Sequence, residues 1–411
     1  MSAPATATDA AAKHVASAGD AVAVAERLAE QFGVEASARD ADRDLPHEQV
    51  RTLKGSGLLA LSVPAEYGGV DAPATVVTEV FRLLAHADPS LAQIPQSHFA
   101  FLEALRLKGT GEQKAFFYDI VRAGGLFANA QSERGPHPID LDATTLTATD
   151  SGEYVLSGRK FYSTGALFAD WLIVRASVAD GSGDAPTSAT PKALAFIARD
   201  AQGLQVVDDW DGMGQRTTAS GTVTLDDVLV PASHVVPFTP IFAEPTVYGA
   251  HAQLLHAAID VGIATGALAE GVRQAATARP HFEARVASAA EDPTLIHVAG
   301  ELAVTVRGAQ ALLAEAARHV DGARADLTPD TAAAASVAVA VAKVAAVRAS
   351  LDASSGLFEL GGTRSASAGG NLSRYWRDAR THTLHDATRW KLQHIGRYVL
   401  SGTRPPRHGQ L

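Results

Sequence analysis

The sequence has 411 residues, of which 46% are hydrophobic, so the chain exceeds one ordinary core and two or three domains are expected. Its 45 acidic and 35 basic residues give a formal net charge of −10, which argues against nucleic acid as the main partner. It contains no cysteine, so disulfides and cysteine-ligated metals are excluded and a cytoplasmic location is expected.

The N-terminal part of the chain contains a tail and then helices. Residues 1–21 are rich in Ala, Thr and Ser and are predicted to be a disordered tail. They lack the apolar core of a signal peptide, and no later unbroken apolar run reaches the roughly 20 residues that span a bilayer, so no membrane is expected. Residues 22–124 show helical periodicity, as in Val24, Leu28 and Phe32, and are predicted to form a helical domain.

The pattern then changes to that of strands and back to that of helices. Residues 125–242 are predicted to form a central β domain, a barrel or sandwich. Its apolar runs lie at 154–156, 171–174, 193–197 and 223–225. Residues 243–411 are predicted to form a four-helix bundle, because long Ala-rich helices pack closely. These helical runs lie around 250–279, 293–322 and 329–358 and are followed by the His- and Arg-rich segment 371–397.

The segment 371–397 contains the most informative residues of the chain. It places His382 and His385 three residues apart, which puts both rings on one side of a turn. Imidazole has a proton affinity close to neutral pH, so the pair suits a site that moves protons. The arginines around it, in an acidic protein, indicate a small anionic ligand.

Several familiar motifs are absent or isolated. The chain has no dinucleotide-binding G-x-G-x-x-G after a strand, no phosphate-binding P-loop and no G-x-S-x-G elbow. Residues 157–160 spell S-x-x-K, the motif of serine acylases, but lack its companion motifs. His382, His385 and Asp386 could be metal ligands, but no third placed imidazole accompanies them, and no metal is expected.

Taken together, these features resemble the acyl-CoA dehydrogenase family. The closest likeness is to its flavin-dependent monooxygenase branch, which includes sulfur-acquisition oxidoreductases and dibenzothiophene monooxygenase. The stretches that carry the resemblance are the turn at 63–69, FANAQSE at 127–133, SGRKFYSTGALF at 157–168, WDGMGQRTTASG at 210–221, FELGGTRS at 358–365 and RYWRDARTHTLHDATRWK at 374–391. The resemblance covers about residues 22–402. It implies an α+β multidomain fold with an N-terminal helical domain, a central β domain and a C-terminal four-helix bundle.

The resemblance also implies a reaction. The branch uses reduced FMN, or FAD as an alternative, and O2 to form a C4a-hydroperoxyflavin that oxygenates a small apolar substrate, organosulfur compounds included. A separate NAD(P)H-dependent flavin reductase is implied, since the chain has no nicotinamide-binding motif. Acyl-CoA dehydrogenases need a carboxylate base, usually a Glu on the loop before the last helix, where this chain has THTLHD. Asp386 or Asp260 could substitute, so an FAD-dependent acyl-CoA dehydrogenase remains an alternative, and a flavin-free binding homologue is a second one.

The resemblance assigns roles to individual residues. The implied catalytic residues are His98, Asn129, Ser163, His382 and His385. The implied cofactor-binding residues are Phe127, Asn129, Ser163, Thr164, Arg279, Gly361, Gly362 and Arg364. The implied substrate pocket is lined by His98, Leu102, Trp210 and Met213. The phosphate contacts around Arg364 would come from a neighbouring subunit, which implies a homotetramer, a dimer of dimers. Leu102 replaces an expected tyrosine, so the identity of the substrate does not transfer. His281, with Phe282 next, replaces the aromatic residue expected after the Arg-Pro of the first long helix, a departure that bears on Arg279 as a phosphate ligand.

Overall fold

The computed structural model describes Val15 and residues 17–136, 138–179 and 184–411. The N-terminal domain is helical, as predicted. Among the described residues, its α-helices are α1 (Ala18–Gly33), α2 (Ala36–Asp42), α3 (His47–Lys54), α4 (Ala74–Ala87), α5 (Pro89–Gln93), α6 (Gln96–Lys108) and α7 (Gly111–Arg122). The predicted tail lies outside the described residues, apart from Val15, Ser17 and its last four positions.

Those last four positions correct the predicted boundary at residue 21. The first helix begins at Ala18, because the Ser17 side chain caps it by accepting a hydrogen bond from the Asp20 N–H (3.2 Å). The sequence did not reveal this start, because the Ala-rich residues before it favour a helix as strongly as the residues of α1 do.

The central domain is one hydrogen-bonded sheet. Its strands are β1 (Phe127–Ala130), β2 (Thr145–Ala148), β3 (Glu153–Lys160), β4 (Trp171–Ala179), β5 (Lys192–Ala198), β6 (Leu204–Val207), β7 (Thr222–Pro231) and β8 (Val235–Pro237). Their order is β6-β7-β3-β2-β4-β5-β8, and β1 pairs in parallel with β4. All four predicted apolar runs lie within strands. The pairing of Ala130 with Val174 marks the end of β1, and this strand end positions part of the site.

The C-terminal domain is a helical bundle built on three long helices. Its helices are α8 (Tyr248–Ala275), α9 (Pro293–Ala325), α10 (Pro329–Gly361), α11 (Ser373–His382) and α12 (Thr388–Ser401). The starts of α9 and α10 follow from local chemistry, because each has a proline in its first turn and a capping side chain, Asp292 or Thr328. Close packing also follows from the sequence: a Cβ on Gly262 would lie 2.4 Å from that of Ala85, so only glycine lets α8 approach α4.

Helices α8 and α10 are each long and apolar enough to cross a membrane by length and composition. Neither helix is an unbroken apolar run, because Asp260 interrupts α8 and Lys343 interrupts α10. In the folded chain, 83% and 72% of their most apolar windows are buried. They are core helices of the bundle, which covers most of their apolar surface.

All three domains meet where the loop after β6 contacts α11. The Asp378 carboxylate accepts a hydrogen bond from the Gln215 N–H (2.6 Å), and Arg377 donates to the Met213 carbonyl (2.9 Å). Arg377 also pairs with Asp40 of α2 (Nη1 to Oδ1, 3.1 Å). Asp378 is thus buried where the three domains join.

We expect Asp378→Asn to gain stability relative to the parent protein as the pH rises. Burial, with a contribution from Asp40, raises the pKa of Asp378 to about 7. A raised pKa means that the native state holds the proton more tightly, so this stabilisation is complete below about pH 4 and is lost as the pH rises through about 7. The unfolding free energy of the variant minus that of the parent should increase by roughly 2 kcal/mol between pH 5 and pH 8, because only the parent loses this stabilisation. Urea unfolding at both pH values tests this, and a difference that stays constant would contradict it.

Candidate active site

A line of buried polar side chains crosses the bundle. His256 and Asp260 lie one turn apart on α8, so both face α11, where His382 is the last residue. His382 Nδ1 lies 2.5 Å from Asp260 Oδ1, and its Nε2 lies 3.1 Å from His256 Nδ1. The other Asp260 oxygen is 2.5 Å from Lys343 Nζ on α10. All four side chains are buried, so the line is sealed from water along its length.

The protonation of this line follows from burial and charge. Burial lowers the pKa of His382, although Asp260 opposes that effect, and lowers the pKa of His256 far below its usual value. Burial raises the pKa of Asp260, but Lys343 and His382 outweigh it and hold the pKa below its ordinary value. Asp260 is therefore an anion that can only accept hydrogen bonds, and both imidazoles are neutral near pH 7.

His385 is the open member of the cluster. It lies on the turn after α11, its side chain is 43% exposed, and its ring centroid is 3.9 Å from that of His256. Its Nδ1 is 4.0 Å from Asp386, which is too long for a hydrogen bond. The two histidines singled out in the sequence thus both contact His256, one from the buried side and one from the open side.

The predicted flavin contacts of the β domain form a second group. Asn129 lies at the end of β1, donates its amide to the Tyr162 carbonyl (3.3 Å) and accepts a hydrogen bond from Gln131 (2.9 Å). The Thr164 hydroxyl lies 2.8 Å from that of Ser220. The hydroxyl of Ser163 is buried and has no hydrogen-bond partner among the described residues. The unpaired Ser163 hydroxyl and the remaining hydrogen-bonding capacity of the Asn129 amide are consistent with a polar ligand at the end of β1.

The structure places three of the expected site residues, His98, Phe127 and Leu102, in the protein interior. His98 is fully buried: its Nε2 donates to the Leu59 carbonyl (2.9 Å), and its Nδ1 accepts from the Phe127 N–H (3.1 Å). Burial lowers its pKa to about 4. With both ring nitrogens hydrogen-bonded to backbone groups, His98 joins α6 to β1. The side chains of Phe127 and Leu102 pack in one apolar core.

Trp210 and Met213 lie on the surface of the β domain. The Trp210 ring faces Tyr162 at 6.3 Å between centroids, and its Nε1 donates to the Gln215 carbonyl (2.9 Å). Met213 is exposed. Because Tyr162 also holds the Asn129 amide, these side chains form a wall beside the Asn129 strand end.

The predicted phosphate contacts gather at the C-terminal end of α8. Arg364 donates to the carbonyl (2.8 Å) and the hydroxyl (2.5 Å) of Thr277, so its guanidinium closes the end of the helix. Arg279 is exposed, and its side chain makes no hydrogen bond or ion pair among the described residues. A Cβ on Gly361 would lie 2.0 Å from the Ser365 hydroxyl, so this glycine is required by packing, whereas Gly362 has φ +67 and open space around it. Arg279 is thus the uncommitted cation of the set.

Two alternatives from the sequence are not supported. In the S-x-x-K stretch, Ser157 bonds to Asp227 (2.6 Å), while Lys160 is buried between Glu133 (2.6 Å) and Asp142 (3.1 Å). The serine and the lysine therefore serve separate structural contacts. Within the described part of the chain, no group of three or more His, Asp or Glu side chains is arranged to hold a metal ion.

Sequence reasoning missed His256 and Lys343 and considered Asp260 only as a substitute base. A signal for each was present. His256 and Asp260 stand at i, i+4 on an otherwise apolar helix, and Lys343 is the one charged residue in the run VAVAVAKVAAV of α10. A polar residue inside such a run requires a buried partner, but the sequence does not name that partner.

Comparisons with known proteins cover most of the chain and indicate one family. Family descriptions for the N-terminal, middle and C-terminal domains of acyl-CoA dehydrogenases match residues 21–123, 127–228 and 254–390. Dibenzothiophene monooxygenase of Rhodococcus qingshengii is 35% identical over 398 residues, 94% of each chain. The probable FMNH2-dependent monooxygenase SfnC of Pseudomonas putida is 32% identical and covers 94% of this chain and 96% of its own. The crystal structure of TdsC from Paenibacillus sp. A11-2 with FMN and indole superimposes with a TM-score of 0.89 at 32% identity, over 95% of this chain and 99% of TdsC.

Proposed function

The chain belongs to the acyl-CoA dehydrogenase family, and from this premise we propose that it is a two-component flavin-dependent monooxygenase. It takes reduced FMN and dioxygen and oxygenates a small apolar molecule, an organosulfur compound in particular. The relatives named for dibenzothiophene and FMNH2-dependent oxygenation support both the reaction and the cofactor.

The observation that carries the proposal is the state of the two carboxylates beside the imidazole cluster. Dehydrogenation of an acyl-CoA needs a free carboxylate base. Asp260 is held by Lys343 and His382. Burial raises the pKa of Asp386, but His385 and the two nearby lysines outweigh it and hold that pKa far below the usual range. A carboxylate with a depressed pKa is a weak base, so the cluster suits proton transfer by imidazole rather than abstraction by a carboxylate.

The residues present fit a bound flavin. The unpaired Ser163 hydroxyl and the Asn129 amide offer hydrogen bonds to a polar ring edge, and Arg279 offers a free guanidinium to the phosphate. When bound, reduced flavin supplies the electrons that activate dioxygen. His385 then holds or delivers a proton from the open face of the histidine cluster.

We expect Arg279→Ala to weaken the binding of reduced FMN by about 1.5 to 3 kcal/mol, the size of a charge-assisted contact to phosphate. Anaerobic titration of the protein with reduced FMN measures the affinity. Arg273→Ala is the matched control, because Arg273 lies on the same end of α8 but is already paired with Glu270 (3.0 Å). Equal affinities of the two variants would remove Arg279 from the phosphate site.

The proposal includes partners and location. A separate NAD(P)H-dependent reductase supplies the reduced flavin, and the protein is a cytoplasmic homotetramer. Exposed apolar side chains on α12, with Val399 74% and Leu400 88% exposed, support a subunit interface. We also propose the domain boundaries 22–124, 125–242 and 243–411, of which the first begins after the start of α1.

Rapid mixing tests the function. The protein is loaded anaerobically with reduced FMN, and separately with reduced FAD, and then mixed with oxygenated buffer while flavin absorbance is followed. A flavin species that is neither reduced nor oxidised, that persists with FMN and that decays with oxygenation of an organosulfur substrate is expected. Immediate return to oxidised flavin with both cofactors, together with bleaching of bound FAD by an acyl-CoA, would establish the dehydrogenase instead.

A further inference from the structure

Four buried side chains form one continuous line from the middle of the bundle to the open histidine. The order is Lys343, Asp260, His382 and His256, joined by contacts of 2.5, 2.5 and 3.1 Å, and His385 then stacks on His256. We propose that this line is a proton relay in which Lys343, Asp260 and His382 are positioning residues and His256 takes up the proton at its outer end. The inference rests on the proposed monooxygenase function and names residues that this function does not by itself require.

The hydrogen bonds give the line one direction. Since the Asp260 carboxylate only accepts, His382 must donate from Nδ1, and its Nε2 is then a lone pair. That lone pair accepts a hydrogen bond, which the Nδ1–H of His256 must donate. The proton of neutral His256 is therefore on Nδ1, and its Nε2, which has no partner among the described residues, is free to accept. Asp260, which lies 122 residues from His382 in the chain, fixes the tautomer of His382. Through His382 it also determines that the basic nitrogen of His256 is Nε2.

The proton balance of the reaction gives this arrangement a task. Reduced flavin as its monoanion, dioxygen, substrate and one proton yield oxidised flavin, oxygenated substrate and one water. In the relay, that proton enters from solvent at the open side of the cluster, where His385 lies, and binds transiently to His256 Nε2. The positive charge then spreads over His256 and His382 while Asp260 stays anionic beside them. Transfer of the proton to the oxygen that leaves as water restores the neutral pair. A transient carrier of one proton lets the site exclude bulk water, which would otherwise be the direct proton source.

The groups facing His256 come from four elements. They are His382 and His385 on and after α11, Lys343 on α10, Lys391 on α12 and, through His382, Asp260 on its own helix. The cations and burial keep His256 neutral at rest. Asp260 on one side and Asp386 beside His385 on the other are the anions that can stabilise a transient imidazolium.

His251 on the same helix shows what a buried histidine does without such a line. It is fully buried, and neither ring nitrogen has a hydrogen-bond partner among the described residues. Among the described residues, no hydrogen bond fixes its tautomer, and the charged groups that act on it are the cations Arg324 and Arg106. It is therefore a matched control for His256: same helix, same burial, no relay.

The first test reads the tautomers directly in the resting protein. The full chain is labelled with 15N-histidine, and the ring nitrogens are assigned by comparison with His256→Phe and His382→Phe. Protonated Nδ1 and bare Nε2 at both His256 and His382 are expected. A proton on His256 Nε2 would reverse the line and overturn the proposal. Because this measurement uses no flavin, it does not depend on the proposed activity.

The second test measures coupling in the loaded enzyme. In Asp260→Asn the amide oxygen should turn toward Lys343 and the NH2 toward His382, which reverses every donor in the line and removes the free Nε2 of His256. Asp260→Asn and His256→Phe should bind reduced FMN as the parent does but yield about 100-fold less oxygenated product per flavin oxidised. His251→Leu should retain parental coupling.

The outcomes separate the relay from the function. Parental coupling in both Asp260→Asn and His256→Phe overturns the relay while the function stands. A parent protein that oxidises reduced FMN without oxygenating any organosulfur substrate rejects the function, and with it the relay's role in oxygenation. If Asp260→Asn does not fold, His256→Phe, which keeps an aromatic ring against His385, and the tautomer measurement still decide.

Discussion

Lys343→Met is expected to lower the free energy of unfolding by about 3 to 5 kcal/mol at neutral pH, the cost of leaving one partner of a buried ion pair uncompensated. Lys343 and Asp260 are both buried, and their charged atoms are 2.5 Å apart. Methionine fills most of the lysine volume, so the loss comes from the charge rather than from a cavity. After the change, His382 is the one remaining hydrogen-bond partner of the carboxylate among the described residues.

The loss should depend on pH in a defined direction. In the parent, burial tends to raise the pKa of Asp260, but Lys343 and His382 hold it below its ordinary value. A depressed pKa gives stabilisation that is present above about pH 4 and is lost as the pH falls through the folded-state pKa. Without Lys343 the carboxyl can be protonated more easily, so the variant should be less destabilised at pH 5 than at pH 8.

Urea unfolding of three variants tests the account. Lys343→Met and Asp260→Asn are measured singly, and the double variant is expected to recover most of the loss because it leaves no unpaired charge. Additive losses in the double variant would mean that the two side chains stabilise the bundle independently, in conflict with the ion pair.

His385→Ala is expected to separate flavin oxidation from product formation. His385 is the exposed imidazole of the cluster, and its removal leaves the buried line and the uncommitted Arg279 unchanged. Reduced FMN should therefore bind with parental affinity and still react with dioxygen. Without a positioned imidazole to hold the proton, oxygenated product should fall about 100-fold, and the oxygen consumed should appear as hydrogen peroxide.

Simultaneous measurement of flavin oxidation, substrate oxygenation and hydrogen peroxide checks this expectation. His319→Ala is the control, because His319 is an exposed histidine of α9 whose one ion-pair partner among the described residues is Glu315, on its own helix (3.9 Å). Unchanged coupling in His385→Ala would remove this side chain from the reaction.

The long helices illustrate how far local chemistry reaches. The sequence placed the second and third long helices at about 293 and 329, and the structure has them at Pro293 and Pro329, since cap and proline act within one turn. The start of α1 at Ala18 was missed, although Ser17 is a capping residue, because no change in composition marks it.

Site residues could be predicted from the sequence only where the residue type and its spacing were enough to indicate a chemical role. His382 and His385 could be selected because two imidazoles three residues apart are visible in the sequence. The commitment of His98 to Leu59 and Phe127, and of Arg364 to Thr277, was not visible, because these partners are 39, 29 and 87 residues distant. Both residues carried the expected functional groups, and the fold uses those groups internally.

The sequence by itself determined the order of the three domains, the absence of a nicotinamide-binding motif and the presence of an imidazole pair before the last helix. These are properties of composition and of neighbours along the chain. Only the tertiary structure decided which groups remain free for chemistry: Lys343 meets Asp260 across 83 residues and His382 meets it across 122. The physical reason is that protonation state and tautomer depend on burial and on the nearest charge, and both are properties of packing rather than of the sequence neighbourhood.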